Sequence, residues 1–276
     1  MTIKEALSLG ESTLSQVPDP QVDARRLLAH VTGRDGLRLL LSGTDELTPQ
    51  QEQRYTSLLL CRVQRTPLQY LTGSQCFYGL DIQTDARALI PRPETELLCE
   101  LGLRFLRGRS SPIALDLCTG SGAIAVTLKH ECPAAQVHAA DLSRNALDLA
   151  RANAQKNNTD IVFHQGDLFQ AVPGLRFDLI LSNPPYIPSR DCRTLQPEVL
   201  REPLMALDGG VDGLDFYRRI AGEAAAFLLP GGMLAMEVGD GEARAVKSLL
   251  EAAGFHNVAV HNDLAALPRM VSANFT

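Results

Sequence analysis

The chain of 276 residues contains no tryptophan, and only 5% of it is aromatic. That scarcity argues against a stacking platform for single-stranded nucleic acid. A formal net charge of −6 argues against broad, nonspecific binding to a phosphate backbone, and there is no basic tail. The six cysteines (61, 76, 99, 118, 132, 192) form no CxxC pair, so no zinc site is expected. Unpaired thiols suit a reducing cytosol, and the expected location is cytoplasmic. The opening MTIKEALSLGES lacks a basic run followed by a long apolar one, so no signal peptide is read. No apolar run approaches membrane-spanning length. The 45% of hydrophobic residues is enough for a full core, and the length suits one large or two modest domains.

From residue 1 to about 65 the apolar residues recur at helical spacing. Asp19-Pro20 reads as an N-cap followed by proline in the first turn, with Val22, Leu27, Leu28 and Val31 as the apolar face and Gly33 as the stop. Thr48-Pro49-Gln50-Gln51 has the form of a capping box and opens a helix through Leu58, Leu59 and Leu60. The expected division is a helical domain over 1–75 that docks a partner, a β-hairpin linker over 76–93 and a second domain over 94–276. Within the linker, Cys76-Phe77-Tyr78 and Leu80-Asp81-Ile82 flank Gly79. Ile90-Pro91-Arg92-Pro93-Glu94-Thr95-Glu96 follows, an extended proline segment leading into an acidic helix start. Arg92 is either a solvated or salt-bridged linker residue or part of a cover over a site.

Beyond residue 111 strands and helices alternate, which predicts a doubly wound parallel sheet. Ile113–Leu117, Gln136–Ala140, Ile161–Phe163, Phe177–Leu181 and Met233–Val238 read as its strands, and Asn257–Val260 as one more. Pro230-Gly231-Gly232 reads as a turn.

Two groups at strand ends carry chemistry. Cys118-Thr119-Gly120-Ser121-Gly122 follows the first strand, and its glycines let the backbone approach a ligand. Gly120, Gly122 and Ala125 satisfy a loose G-x-G-x-x-A pattern, a weak signal that Asp141 strengthens by ending the second strand, where an acid can bind ribose hydroxyls or cap the next helix. Asp116 either bonds the turn or approaches a ligand amine. Ser182-Asn183-Pro184-Pro185-Tyr186 follows the fourth strand. The two prolines stiffen the turn, so a carboxamide, free carbonyls and a phenol are held as a clamp for a flat, neutral nitrogen group. Ligands bind at the C-terminal edge of open α/β sheets, so both groups can face one crevice. A nicotinamide oxidoreductase would use the glycines but leave Asn183 to Tyr186 unexplained. A DNA or RNA base amino methyltransferase would use the clamp but would have to flip a base out of a duplex. A noncatalytic binding module is a further alternative. The six histidines are scattered and read as structural or surface residues, and Glu202 as a surface or loop salt bridge.

The stretch Asp116 to Gly122 resembles the first motif of class I S-adenosylmethionine-dependent methyltransferases, and Asn183-Pro184-Pro185-Tyr186 resembles the motif of those that methylate planar nitrogens. With Pro67 to Gly73, Ile90 to Glu96 and the segment Glu202 to Leu214, the whole chain resembles the PrmC/HemK family of protein-(glutamine-N5) methyltransferases acting on peptide chain release factors. Cys118 stands where that family usually has glycine, and it either crowds the methionine end of the cofactor or shifts the loop. The resemblance implies a Rossmann-like α/β mixed sheet of the class I methyltransferase type with a small all-α N-terminal domain. It implies S-adenosylmethionine as cofactor and S-adenosylhomocysteine as product. Cys118, Thr119, Gly120, Ser121, Gly122, Asp141, Asp167, Leu168 and Asn183 would bind the cofactor. Asn183, Pro184, Pro185 and Tyr186 would hold the substrate, with Asn183, Pro184 and Tyr186 catalytic. A class 1 release factor is the implied partner, with no stable nucleic-acid binding, no membrane, no metal and a monomeric enzyme.

Overall fold

A computed structural model describes residues 1–275 of the chain, the side chain of Leu40 excepted. Two compact units are found, one of Met1–Ser74 together with 196–201, the other of Gln75–Leu195 and the residues from Glu202 onward.

The first unit is helical: α1 (Ile3–Thr13), α2 (Pro20–Thr32), α3 (Gly36–Leu41), α4 (Pro49–Val63) and α5 (Leu68–Thr72). Thr2 with Glu5 and Thr48 with Gln51 form capping boxes that satisfy the free amides at the starts of α1 and α4. Gly33 ends α2 in the left-handed region (φ 68°). Asp19 stands at the start of α2 but makes no side-chain cap, with φ −126° and ψ 66°. The buried face of α2 also differs from the expected one. Val22 is exposed, and Asp23 joins Ala24, Leu27 and Leu28 inside. Burial of Asp23 is tolerated because Arg62 Nε donates to its carboxylate across 2.6 Å. Arg62 and Arg65 also bind Glu198, each at 2.7 Å, which ties the 196–201 segment to this unit.

A hairpin follows, β1 (Ser74–Phe77) and β2 (Leu80–Gln83), which lies in the second unit from Gln75 onward, and then α6 (Pro93–Leu106). Then come β3 (Ile113–Leu117), α7 (Ala123–Glu131), β4 (Gln136–Asp141), α8 (Arg144–Lys156), β5 (Ile161–Gln165) and β6 (Phe177–Ser182). The unit closes with α9 (Asp215–Glu223), β7 (Leu228–Glu237), α10 (Ala243–Ala252), β8 (His256–Asn262) and β9 (Pro268–Asn274). The sheet order is β5-β4-β3-β6-β7-β9-β8. Pairings from β5 to β7 are parallel, whereas β9 runs antiparallel to both β7 and β8. The sheet is therefore mixed rather than purely parallel. Apolar clusters cover both faces, as the near-continuous hydrophobic runs of β3, β6 and β7 require.

Pro230-Gly231-Gly232 is not a separate turn. It lies inside β7, opposite a register shift at Phe177/Leu179, and Gly231 N–H donates to the Phe275 carbonyl across 2.8 Å. Proline at such an irregularity removes no regular ladder bond.

Candidate active site

The central strands β3, β4 and β6 all end on the same edge of the sheet. The turn after β3 is unusual, because Cys118 (φ 64°), Gly120 (φ 55°) and Gly122 (φ 81°) all take the left-handed region. Glycine does this freely, whereas Cys118 carries a cost of about 1 kcal/mol. Asp116 lies under the turn. Its Oδ2 accepts from Thr119 Oγ1 (2.5 Å) and Ala125 N–H (3.1 Å), while Oδ1 is buried without a partner. Burial pushes its carboxyl up to about 7. Asp116 thus braces the turn and is not among the residues lining the cavity beside it.

Asp141 ends β4. Its Oδ2 accepts from Gly120 N–H and its Oδ1 from Ser143 N–H, both at 2.8 Å. Ser143, not Asp141, caps α8, through a hydroxyl that accepts from Ala146 N–H. Each carboxylate oxygen of Asp141 keeps an acceptor site, and burial raises its pKa. Asp167 pairs with Arg219 at 2.8 Å. Leu168 is buried beside it, with φ 48°.

Asn183 follows β6. Its Nδ2 donates to Thr95 Oγ1 across 3.2 Å, and Thr95 Oγ1 donates to Glu237 Oε2 across 2.6 Å. Glu237 ends β7 and is 2% exposed, and burial pushes its carboxyl up to about 7. Tyr186 packs on the apolar core, and burial raises its phenol to about 12, so it stays neutral. The turn is clasped by a following loop: Ile187 N–H donates to the Leu207 carbonyl and Gly209 N–H to that of Ile187. A Cβ on Gly209 would stand 2.6 Å from Tyr186 Cα, one on Gly239 3.0 Å from Tyr186 Cδ2, and one on Gly213 would strike the Tyr186 carbonyl.

One cavity joins these groups. Cys118, Thr119, Gly120, Ser121, Asp141, Asp167, Leu168, Asn183 and Pro185 line it, whereas Gly122, Pro184 and Tyr186 are not among its lining residues. Its other wall includes Ala88, Pro91 and Arg92 with Met205 and Phe216. Arg92 is ion-paired as one reading allowed, but its partner Glu202 is not a surface residue. Glu202 is 5% exposed, and accepts from both Arg92 Nη2 (2.5 Å) and Ile90 N–H (2.9 Å), since an extended proline segment has amides that only a side chain can satisfy. Burial raises the Cys118 thiol, so it is not a thiolate. Sequence reasoning missed Thr95, Glu202 and Glu237 as parts of the site. Glu237 carried a signal, because it ends a strand on the edge where Asp141 and Asn183 lie. Among the described residues no group of three potential ligands could hold a metal, and no helix is long and apolar enough to cross a membrane.

The sheet order β5-β4-β3-β6-β7-β9-β8, with the turn after β3, Asp141 and Asn183 at one edge, is the fold of a class I methyltransferase. Its fold is shared with a methyltransferase of Pyrococcus furiosus (TM-score 0.53, 19% identity, 82% of this chain and 98% of that one). A model of the PrmC N-terminal domain matches residues 5–73, and one of the methyltransferase small domain matches residues 97–263. The chain is 43% identical to the release factor glutamine methyltransferase of Deinococcus radiodurans over 99% of its own length and 98% of the relative's. It is likewise 43% identical to that of Bordetella pertussis, covering 91% of this chain and 93% of the relative. The chain belongs to the PrmC/HemK family of release factor glutamine methyltransferases. Membership supports S-adenosylmethionine as its methyl donor.

Proposed function

We propose that this protein methylates the side-chain amide nitrogen of the glutamine in the Gly-Gly-Gln motif of class 1 peptide chain release factors, with S-adenosylmethionine as donor and S-adenosylhomocysteine as product. The relatives in Deinococcus radiodurans and Bordetella pertussis are named release factor glutamine methyltransferases. A single observation supports the chemistry: Asn183 stands in the same cavity as the turn after β3, with its NH2 tied to Thr95. Its Oδ1 is thereby left as an acceptor facing away from that bond.

The residues present fit the donor. Asp141 retains acceptor capacity for ribose hydroxyls, the backbone of Cys118 to Gly122 supplies amides and carbonyls, and Asp167 with Leu168 lines the cavity where the adenine would pack. When bound, S-adenosylmethionine supplies an electrophilic methyl on a sulfonium.

The chain's own task is to present the nitrogen. An amide nitrogen is a poor nucleophile because its lone pair is delocalised into the carbonyl. Asn183 Oδ1 and the Pro184 carbonyl each accept one hydrogen of the substrate NH2, which localises the lone pair and fixes its direction. Tyr186 packs on the amide plane. Positioning and electrostatics then supply most of the rate. No general base is needed, since the proton leaves after methyl transfer and Asn183 has no basic site.

The nucleic-acid base alternative uses the same clamp, but no relative described above is named for it. The test incubates purified release factors and total RNA separately with the enzyme and labelled S-adenosylmethionine. Label on the glutamine of Gly-Gly-Gln is expected; label on RNA alone refutes the proposal.

A further inference from the structure

We propose that Thr95 and Glu237 are positioning residues that set which end of the Asn183 carboxamide faces the substrate. The inference rests on the function proposed above and adds a device to it.

A carboxamide has an oxygen and an NH2 of nearly equal size, so shape alone does not decide which way it points. Only Oδ1 can accept from a substrate amide; the opposite orientation would set NH2 against NH2. Nothing in Asn183-Pro184-Pro185-Tyr186 itself chooses between them. The choice comes from 88 residues back and 54 residues on, where Thr95 stands in the first turn of α6 and Glu237 ends β7. An ionised carboxylate only accepts, so the Thr95 hydroxyl must donate to Glu237, as it does across 2.6 Å. The Thr95 oxygen then has only lone pairs left, and only the Asn183 NH2 can fill one, as it does across 3.2 Å. Asn183 also helps hold the charged form of Glu237. Each bond dictates the polarity of the next, and the last leaves Oδ1 free.

The chain of bonds reverses if Glu237 takes a proton. Its hydroxyl then donates to Thr95, Thr95 donates to Asn183, and Oδ1 becomes the bonded end. Protonation is within reach, because burial pushes Glu237 up to about 7. The charged groups bearing on Glu237 are Glu94, which raises its pKa further, and Arg269, which opposes. Cys99, Tyr186 and Tyr217 also face it and stay neutral, and Tyr217 donates to the Glu237 backbone carbonyl rather than to the carboxylate. Glutamine at 237 can accept from or donate to Thr95 and so fixes neither polarity. Thr95→Val removes the middle of the relay and leaves the Asn183 NH2 only its direct interaction with Glu237.

The test compares wild type with Glu237→Gln, Thr95→Val and Thr95→Ser. Rates are measured with S-adenosylmethionine and release factor, donor affinity by titration, and the Asn183 side-chain NH2 signals by 15N NMR without donor. Glu237→Gln and Thr95→Val should lose roughly 5- to 30-fold in kcat, the range of one orienting hydrogen bond. Donor affinity and melting should stay near wild type, and Thr95→Ser should restore the rate. In wild type both the rate and the Asn183 signals should change as pH falls through about 7, a step that Glu237→Gln lacks. The relay is refuted if both variants fold and keep the wild-type kcat, or if wild type and Glu237→Gln share one pH profile and one set of Asn183 signals. Should either variant fail to fold, the wild-type Asn183 signals decide alone: no change near pH 7 overturns the relay. A wild-type enzyme that labels no release factor would instead overturn the function, while the NMR result would still report on the relay.

Discussion

Asp141 accepts the amide hydrogen of Gly120 across 2.8 Å, so the acid at the end of one strand holds the turn at the end of its neighbour. The same carboxylate therefore shapes the turn and offers acceptors to a ligand. Asp141→Ala should remove both, weakening donor binding by tenfold or more on the order of one charge-assisted hydrogen bond. Asp141→Asn should lose less, because its carbonyl still accepts from Gly120. Calorimetric titration checks the order.

Asn183→Ala should cost about 10²–10³ in kcat, as for loss of one aimed hydrogen bond in a transition state. Donor affinity should change far less. Single-turnover methylation of a release factor measures the first and titration the second, and a near-wild-type rate would count against the clamp.

Cys118 lines the cavity while burial raises its thiol, whereas Cys61 and Cys76 are exposed. Alkylation should therefore reach Cys61 and Cys76 first and Cys118 slowly. Saturating S-adenosylmethionine should slow Cys118 further and leave Cys61 unchanged. Mass spectrometry of quenched samples reads each site, and equal Cys118 labelling with and without donor would place the donor elsewhere.

Glu202 holds Ile90 N–H and Arg92 together at the cavity wall. Glu202→Ala leaves a buried amide without an acceptor and should destabilise the fold by about 2 kcal/mol. Arg92→Ala should cost less, since Arg92 is partly exposed and Ile90 keeps its partner. Urea unfolding of the two variants gives the comparison.

Burial raises Asp116, Glu237 and Glu242 to about 7. Between the ordinary carboxylate range near pH 4 and about pH 7, the folded protein holds protons there that the unfolded chain has released. Stability from these groups therefore falls as pH rises through that window and is level above it. Asp212 has the opposite sign. Hydrogen bonds from Arg218 lower it to about 2, so its contribution is lost only in stronger acid. Urea midpoints should be higher near pH 5 than near pH 8, and replacing Glu242 by Gln should shrink the difference.

Much of this was legible in the residues. The strands β3, β6 and β7 announce themselves as apolar runs, and the turns that follow β3 and β6 carry glycines and prolines with local meaning. The strand β9 was not legible. It begins at Pro268, mixes Met270 and Val271 with Ser272 and Asn274, and draws its identity from antiparallel neighbours far along the chain. The helix α9 was missed because Leu214 at its start offers no capping side chain. Asp19 misled for the converse reason: a good capping residue stood in the right place and the backbone did not use it. Thr95 and Glu237 reveal their partnership only once 142 residues of chain have folded between them.

The glycines packed around Tyr186 leave its backbone no room to swing. A side chain at Gly209 would collide with main-chain atoms rather than with a yielding rotamer, and one at Gly213 would strike the Tyr186 carbonyl as well as the Glu242 side chain. On the proposed function, the main chain that would receive the substrate is thus hemmed in by neighbouring backbone. The entering peptide is then the member of the pair that has to bend, threading its glutamine outward to meet it.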